Sequence, residues 1–132
     1  MGTVFDRFAT LSVEGSLAIG ARCYFGTGVV IACFEAVTIG DDVRFGERVS
    51  VHDENHRFEP VGQPGHEYDT AKVEIGDRVW LGAGVVVLPG VSIGADSVVG
   101  AGSVVSKSLP SGVLAAGVPA KVLRWLEPVG AA

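Results

Sequence analysis

Three histidines, His52, His56 and His66, fall within the polar stretch HDENHRFEPVGQPGHEYDTAK, residues 52–72. Histidine is the side chain whose ordinary pKa lies nearest neutrality. It can therefore take a proton from an attacking hydroxyl without a large environmental shift. His56 and His52, four residues apart, both carry that chemistry. The plain alternative for His56 is a solvated loop histidine. His52 follows Val51 and reads as structural or acceptor-facing, while His66, between Gly65 and Glu67, reads as exposed. Asp53, Glu54, Glu59 and Asp69 are all close enough in sequence to orient an imidazole, and the sequence does not choose among them.

A second group is basic. From Ser97 to Leu126 there is no Asp or Glu, and the only charges are Lys107, Lys121 and Arg124. A basic end on a chain of net charge −5 can attract an anionic ligand, or can simply be three solvated cations. The overall acidity disfavours nucleic acid as a partner.

These residues need a scaffold, and residues 73–105 supply its pattern. Ile75, Leu81, Val87, Ile93, Val99 and Val105 recur at every sixth position, and Gly76, Gly82, Gly94 and Gly100 follow four of them. A second register, Val73, Val79, Val85, Val91, Ser97 and Ser103, runs two residues earlier. Helices repeat at 3.6 residues and strands at 2, so neither accounts for a step of six. A short strand plus a tight turn does, and three such units close a triangular coil, the hexapeptide form of the β-helix.

Read backwards beyond the polar stretch, the column continues through Val51, Phe45 and Ile39. After two extra residues within IACFEAVTIG come Ile31, Phe25, Ile19 and Val13. The thirteen-residue column predicts a rod of a little over four coils. Trp80 lies between interior Val79 and Leu81, so it points outward, as a subunit contact or a ligand platform. Residues 52–72 interrupt the hexads as a polar loop, and a loop of that length in a compact domain tends to be functional. Residues 107–126 leave the coil as a cap, with a short helix over 120–126 anchored by Trp125. The tail at 127–132 frays, so 1–126 form one domain. Cys23 and Cys33 read as buried free thiols rather than a pair. No apolar run approaches a membrane span, and Met1 to Ala9 shows no export signal, which predicts a cytoplasmic protein.

The hexads, the loop carrying NHR, and the segments IGDRVWLGAGVVVLPGVSIG, GAGSVVSK and AAGVPAKVLR together resemble the left-handed β-helix acyltransferases. The similar branch holds the galactoside and maltose O-acetyltransferases and the xenobiotic acetyltransferases, and the resemblance covers residues 13–126. It implies an all-β fold, a left-handed parallel β-helix with an extended loop, contrary to the usual right-handed crossover. It implies a homotrimer with active sites between rods, acetyl-CoA as donor, a small hydroxyl-bearing acceptor such as a sugar, and no metal. In the family the catalytic histidine stands 24 residues before the tryptophan of the VWIG motif, which here is VWLG with Trp80, so the role falls on His56. Trp80 then lies by the thioester, Ala83 and Ala101 line the pantetheine track, and Ser106, Lys107, Lys121 and Arg124 meet the phosphates and adenine. Ala83 stands where a serine is frequent, leaving a backbone N–H as donor. Gly26 and Phe34 occupy the positions of two polar acceptor-binding residues, which argues against a simple galactoside, and His52 joins them facing the acceptor. N-acylation of an amino sugar and transfer of a longer acyl chain fit the same donor track. A γ-carbonic-anhydrase-like zinc site does not match, because no histidine precedes His52. A non-catalytic rod would have no use for the histidine-bearing loop.

Overall fold

A computed structural model describes residues 2–58 and 64–128. Short strands wind into a three-sided rod. The first face stacks Val4–Phe5, Tyr24–Phe25, Arg44–Phe45, Trp80–Leu81 and Val98–Val99 in parallel. The second stacks Thr10–Val13, Val30–Cys33, Ser50–His52, Val86–Val87 and Val104–Val105. The third stacks Ser16–Ile19, Ala36–Ile39, Val73–Ile75 and Ser92–Ile93, and Leu109 bridges to Ile93. Five coils result, slightly more than the column predicts, because Val4–Phe5 completes the first coil and Leu109 the last.

The hexad column fills the interior. From Phe25 to Val105 each of its members is no more than 2 % exposed. Phe5, Phe25 and Phe45 stack along the axis with ring centroids 4.5 and 4.4 Å apart, so successive coils share an aromatic column as well as an aliphatic one.

Val13 does not belong to that column. Leu11 is the residue that sits against Ile31, while Val13 pairs with Cys33 and remains 44 % exposed. The first coil carries its own two extra residues, Glu14 and Gly15, beneath the extra Phe34 and Glu35 of the second. Tyr24 accordingly pairs with Arg44, twenty residues on, whereas Trp80 pairs with Val98, eighteen on.

The cap is a β-hairpin, not a helix. Val113–Gly117 extends the first face in parallel, and Ala120–Trp125 turns back antiparallel along it. Hairpin pairing satisfies the first-face edge of the last coil directly, which a helix could only shield. Trp125 is therefore no anchor: it is 66 % exposed on the outer strand. The anchors are the two serines of the valine register. Ser97 Oγ donates to the Pro110 carbonyl at 2.9 Å and accepts from the Val113 N–H at 3.2 Å, and Ser103 Oγ accepts from the Gly117 N–H at 3.0 Å. Cys23 and Cys33 are buried free thiols. The tail positions 129–132 and Glu59 lie outside the described residues.

Candidate active site

Within the polar stretch after Val51, the described residues form a two-stranded arm. Glu54–Phe58 pairs antiparallel with Pro64–Thr70 and leaves the rod at the corner between the second and third faces. His56 faces Tyr68 across this pair, with ring centroids 4.8 Å apart, and Tyr68 in turn packs edge-on against Phe34 at 5.1 Å. The Nδ1 of His56 lies 3.1 Å from the Gly65 carbonyl oxygen. On the other side of the arm Arg57 donates to Glu67 at 2.6 Å and to Asp69 at 2.9 Å, tying the two strands together. His52 is half-buried at the root, its Nδ1 3.2 Å from Glu54 Oε1.

A groove of about 630 Å³ lies elsewhere, along the first face and its corner with the second. Its upper end is small and apolar, built from Trp80, Gly82, Ala83 and the run Val98 to Ala101. Trp80 is 55 % exposed there, held by pairing with Arg44 below and Val98 above. Glycines keep the corner open. A Cβ on Gly46 would stand 2.6 Å from the Ala83 nitrogen, and one on Gly82 would stand 2.7 Å from the Ala101 nitrogen. The lower end is polar, with Asp6, Tyr24, Thr27 and Glu47 beside Gly26. Tyr24 donates its phenol hydrogen to Asp6 Oδ2 at 2.9 Å. The Arg7 backbone N–H and then this phenol hold the Asp6 carboxyl below the usual range, and the same bond pushes the Tyr24 hydroxyl up.

The site residues expected from sequence thus fall into separate groups. Gly26, Trp80, Ala83 and Ala101 share the groove. His52, His56 and Phe34 gather at the arm, and Ser106 and Lys107 follow Val104–Val105 at the same second–third corner, higher up. Lys121 and Arg124 lie on the cap, where Arg124 continues the outward row that runs Trp80, Val98, Leu114. Hexad reading alone does not reach Asp6, Tyr24, Thr27 and Glu47. Tyr24 shows itself only once the twenty-residue coils are aligned, which puts it in the row of Arg44 and Trp80. Among the described residues no three His, Cys, Asp or Glu side chains are gathered to hold a metal ion, and no helix is long and apolar enough to cross a membrane.

Comparison with known proteins places this geometry in a family. Residues 72–107 match the bacterial transferase hexapeptide (six repeats) model. A galactoside O-acetyltransferase of Lactococcus lactis is 41 % identical over 82 % of this chain and 55 % of its own length. A putative lipopolysaccharide biosynthesis O-acetyl transferase of Escherichia coli, WbbJ, is 43 % identical over 73 % of this chain and 54 % of its own. The chain spans about half the length of these relatives. A hexapeptide-repeat acetyltransferase of Vibrio cholerae, solved with acetyl coenzyme A, superposes with a TM-score of 0.82 at 31 % identity, covering 96 % of this chain and 72 % of the other. This chain belongs to the hexapeptide-repeat acetyltransferases, and its rod is their left-handed β-helix.

Proposed function

We propose that the protein is an acyl-CoA-dependent O-acetyltransferase, with acetyl-CoA as donor and a sugar or other hydroxyl-bearing small molecule as acceptor. One observation carries this reading: the imidazole and the groove sit at two different corners of one triangular rod. Complete sites then form when the groove corner of one copy meets the arm corner of the next. A three-sided cross-section closes such a head-to-tail contact as a ring of three.

His56 is the general base in this site. A carbonyl only accepts, so the contact with Gly65 assigns hydrogen to Nδ1 and leaves the Nε2 lone pair free. Nε2 takes the acceptor's hydroxyl proton as its oxygen attacks the thioester carbonyl. The Ala83 N–H, kept accessible by Gly46, stabilises the tetrahedral oxyanion. The C–S bond then breaks, and the departing thiolate takes the proton from the imidazolium. No covalent enzyme intermediate is needed.

The two ends of the groove suit the two substrates. Trp80, Ala83 and Ala101 form a narrow apolar track for the pantetheine arm, with Lys121 and Arg124 of the cap near its end for phosphate. Ser106 and Lys107 reach the same ligand from the adjoining copy. Asp6, Thr27 and Glu47 offer the acceptors and donors that hold a polyol, while Phe34 and His52 approach from the arm side with Gly26 opposite. The site works where acyl-CoA is made, in the cytoplasm.

A panel of alcohols, sugars and amino sugars assayed for CoA thiol release, with His56→Ala alongside, tests the proposal. Turnover of a hydroxyl acceptor lost in His56→Ala supports it. Activity confined to amines would make the protein an N-acyltransferase, and full activity in His56→Ala would overturn the base assignment.

A further inference from the structure

Asp53 is fully buried, one residue beyond His52 at the root of the arm. Its Oδ1 accepts the Phe34 N–H at 2.7 Å, and its Oδ2 accepts those of Glu35 at 2.7 Å and Ala36 at 2.9 Å. All three donors belong to the two-residue insertion of the second coil and its exit. The Asp53 backbone is tied as well: its N–H donates to the Ala32 carbonyl at 3.3 Å, and its carbonyl accepts the Ala71 N–H at 2.9 Å, where the arm returns. Two more contacts join the same parts. Thr70 Oγ1 lies 3.1 Å from Glu35 Oε1, and the Tyr68 ring lies between Phe34 and His56.

The rod does not need this device to turn the corner. The fourth coil passes from its second face to its third through Leu88 to Val91 with no insertion and no buried acid. The first coil carries an insertion at the same corner, but there the Cys33 carbonyl accepts the Glu14 and Gly15 N–H groups, whereas the second coil's insertion is closed by a buried acid where the arm departs. A carboxylate enclosed by backbone donors fixes geometry and does not touch substrate.

We propose that Asp53 is a positioning residue for acyl transfer, clamping the Phe34–Glu35 insertion to the arm so that both move as one body and His56 is presented at a set height. This rests on the reading of His56 as the base.

The test uses Asp53→Asn in the assembled protein, since an amide sets donors against three N–H groups where the carboxylate had only acceptors. Hydrogen exchange is expected to quicken jointly in Phe34 to Ala36 and in the strands Glu54–Phe58 and Pro64–Thr70. The turnover kcat is expected to fall on the order of tenfold or more while KM for acyl-CoA stays within about twofold, because misplacing a base costs rate rather than donor binding. A merely structural lesion would not produce that split. Should Asp53→Asn fail to fold, Thr70→Val removes one exposed tie and is expected to lower kcat roughly two- to fivefold with the same split. Faster exchange in the insertion with an unchanged arm overturns the clamp, and so does unaltered kcat in the folded variants. The exchange readout does not depend on whether His56 is the base. If His56→Ala keeps activity, the base reading falls by that result alone, and joint loss of protection still supports the clamp.

Discussion

The Nδ1 of His56 and the carbonyl oxygen of Gly65 lie 3.1 Å apart across the two strands of the arm. The imidazole is thus oriented by backbone. Among the described residues, the nearby acids have other partners: Glu54 contacts His52, Asp69 accepts from Arg57, and Asp53 accepts backbone N–H groups. Glu54→Gln and Asp69→Asn are expected to keep transferase activity within about tenfold, while His56→Ala loses on the order of 10²–10⁴ in kcat. CoA thiol release measures all three. A loss in Asp69→Asn as deep as that in His56→Ala would mean that a carboxylate does the orienting.

If the base and the donor groove of each site come from different copies, defects in the two halves complement. Ala101→Tyr fills the groove from an exposed position and His56→Ala removes the base, so each homogeneous protein is expected to be inactive. Mixed assemblies retain some sites with both halves intact and are expected to recover a measurable fraction of activity. Absence of recovery on confirmed mixing would place both halves within one chain.

Glycine at the groove corner serves close approach rather than an unusual backbone angle. Gly46→Ala sets a Cβ against the Ala83 nitrogen and is expected to cost about 1–3 kcal/mol and to raise KM for the acyl donor. Gly112, with φ of +72° and open space around a Cβ, presents the opposite case. Gly112→Ala is expected to cost only about 1 kcal/mol, with KM unchanged. Denaturant titration and donor kinetics separate the two.

Two ion pairs stand one above the other on another corner, Arg22 with Asp42 at 2.9 Å and Arg78 with Asp96 at 2.7 Å. Hydrogen bonds from the arginines hold both carboxyls below their ordinary range. A carboxyl depressed in the folded state stabilises above its unfolded pKa, and the contribution disappears as pH falls through the folded value. Wild type is therefore expected to exceed Arg78→Gln in Tm above about pH 5, by a small margin for so exposed a pair, and the two converge as pH falls below the ordinary carboxylate range.

Much of the fold is legible because burial in a β-helix is periodic. Every residue from Phe25 onward in the column is interior as the hexads imply. The first coil misleads because its insertion brings Leu11 into the column, where a hexad counted backwards from Ile19 lands on Val13. The cap misleads for a different reason: AKVLRWL carries no pattern of its own, and its strand form comes from the free edge of Val113–Gly117. The polar arm also lacks hexads, and its pairing depends on cross-strand contacts such as His56 with Tyr68 and Arg57 with Asp69. His56 and Trp80 stand out by residue type, whereas the groove's acidic end at Asp6 and Glu47 emerges only when coils of unequal length are stacked.

The arm springs from the third coil and Trp80 opens the fourth. Parallel strands repeat at a pitch of about 4.8 Å, so the offset between base and donor along the axis is quantised. Lengthening the rod by whole coils elsewhere leaves that offset untouched. Adjustment finer than one pitch, the scale on which one acceptor differs from another, has to come from the arm and the insertion that supports it.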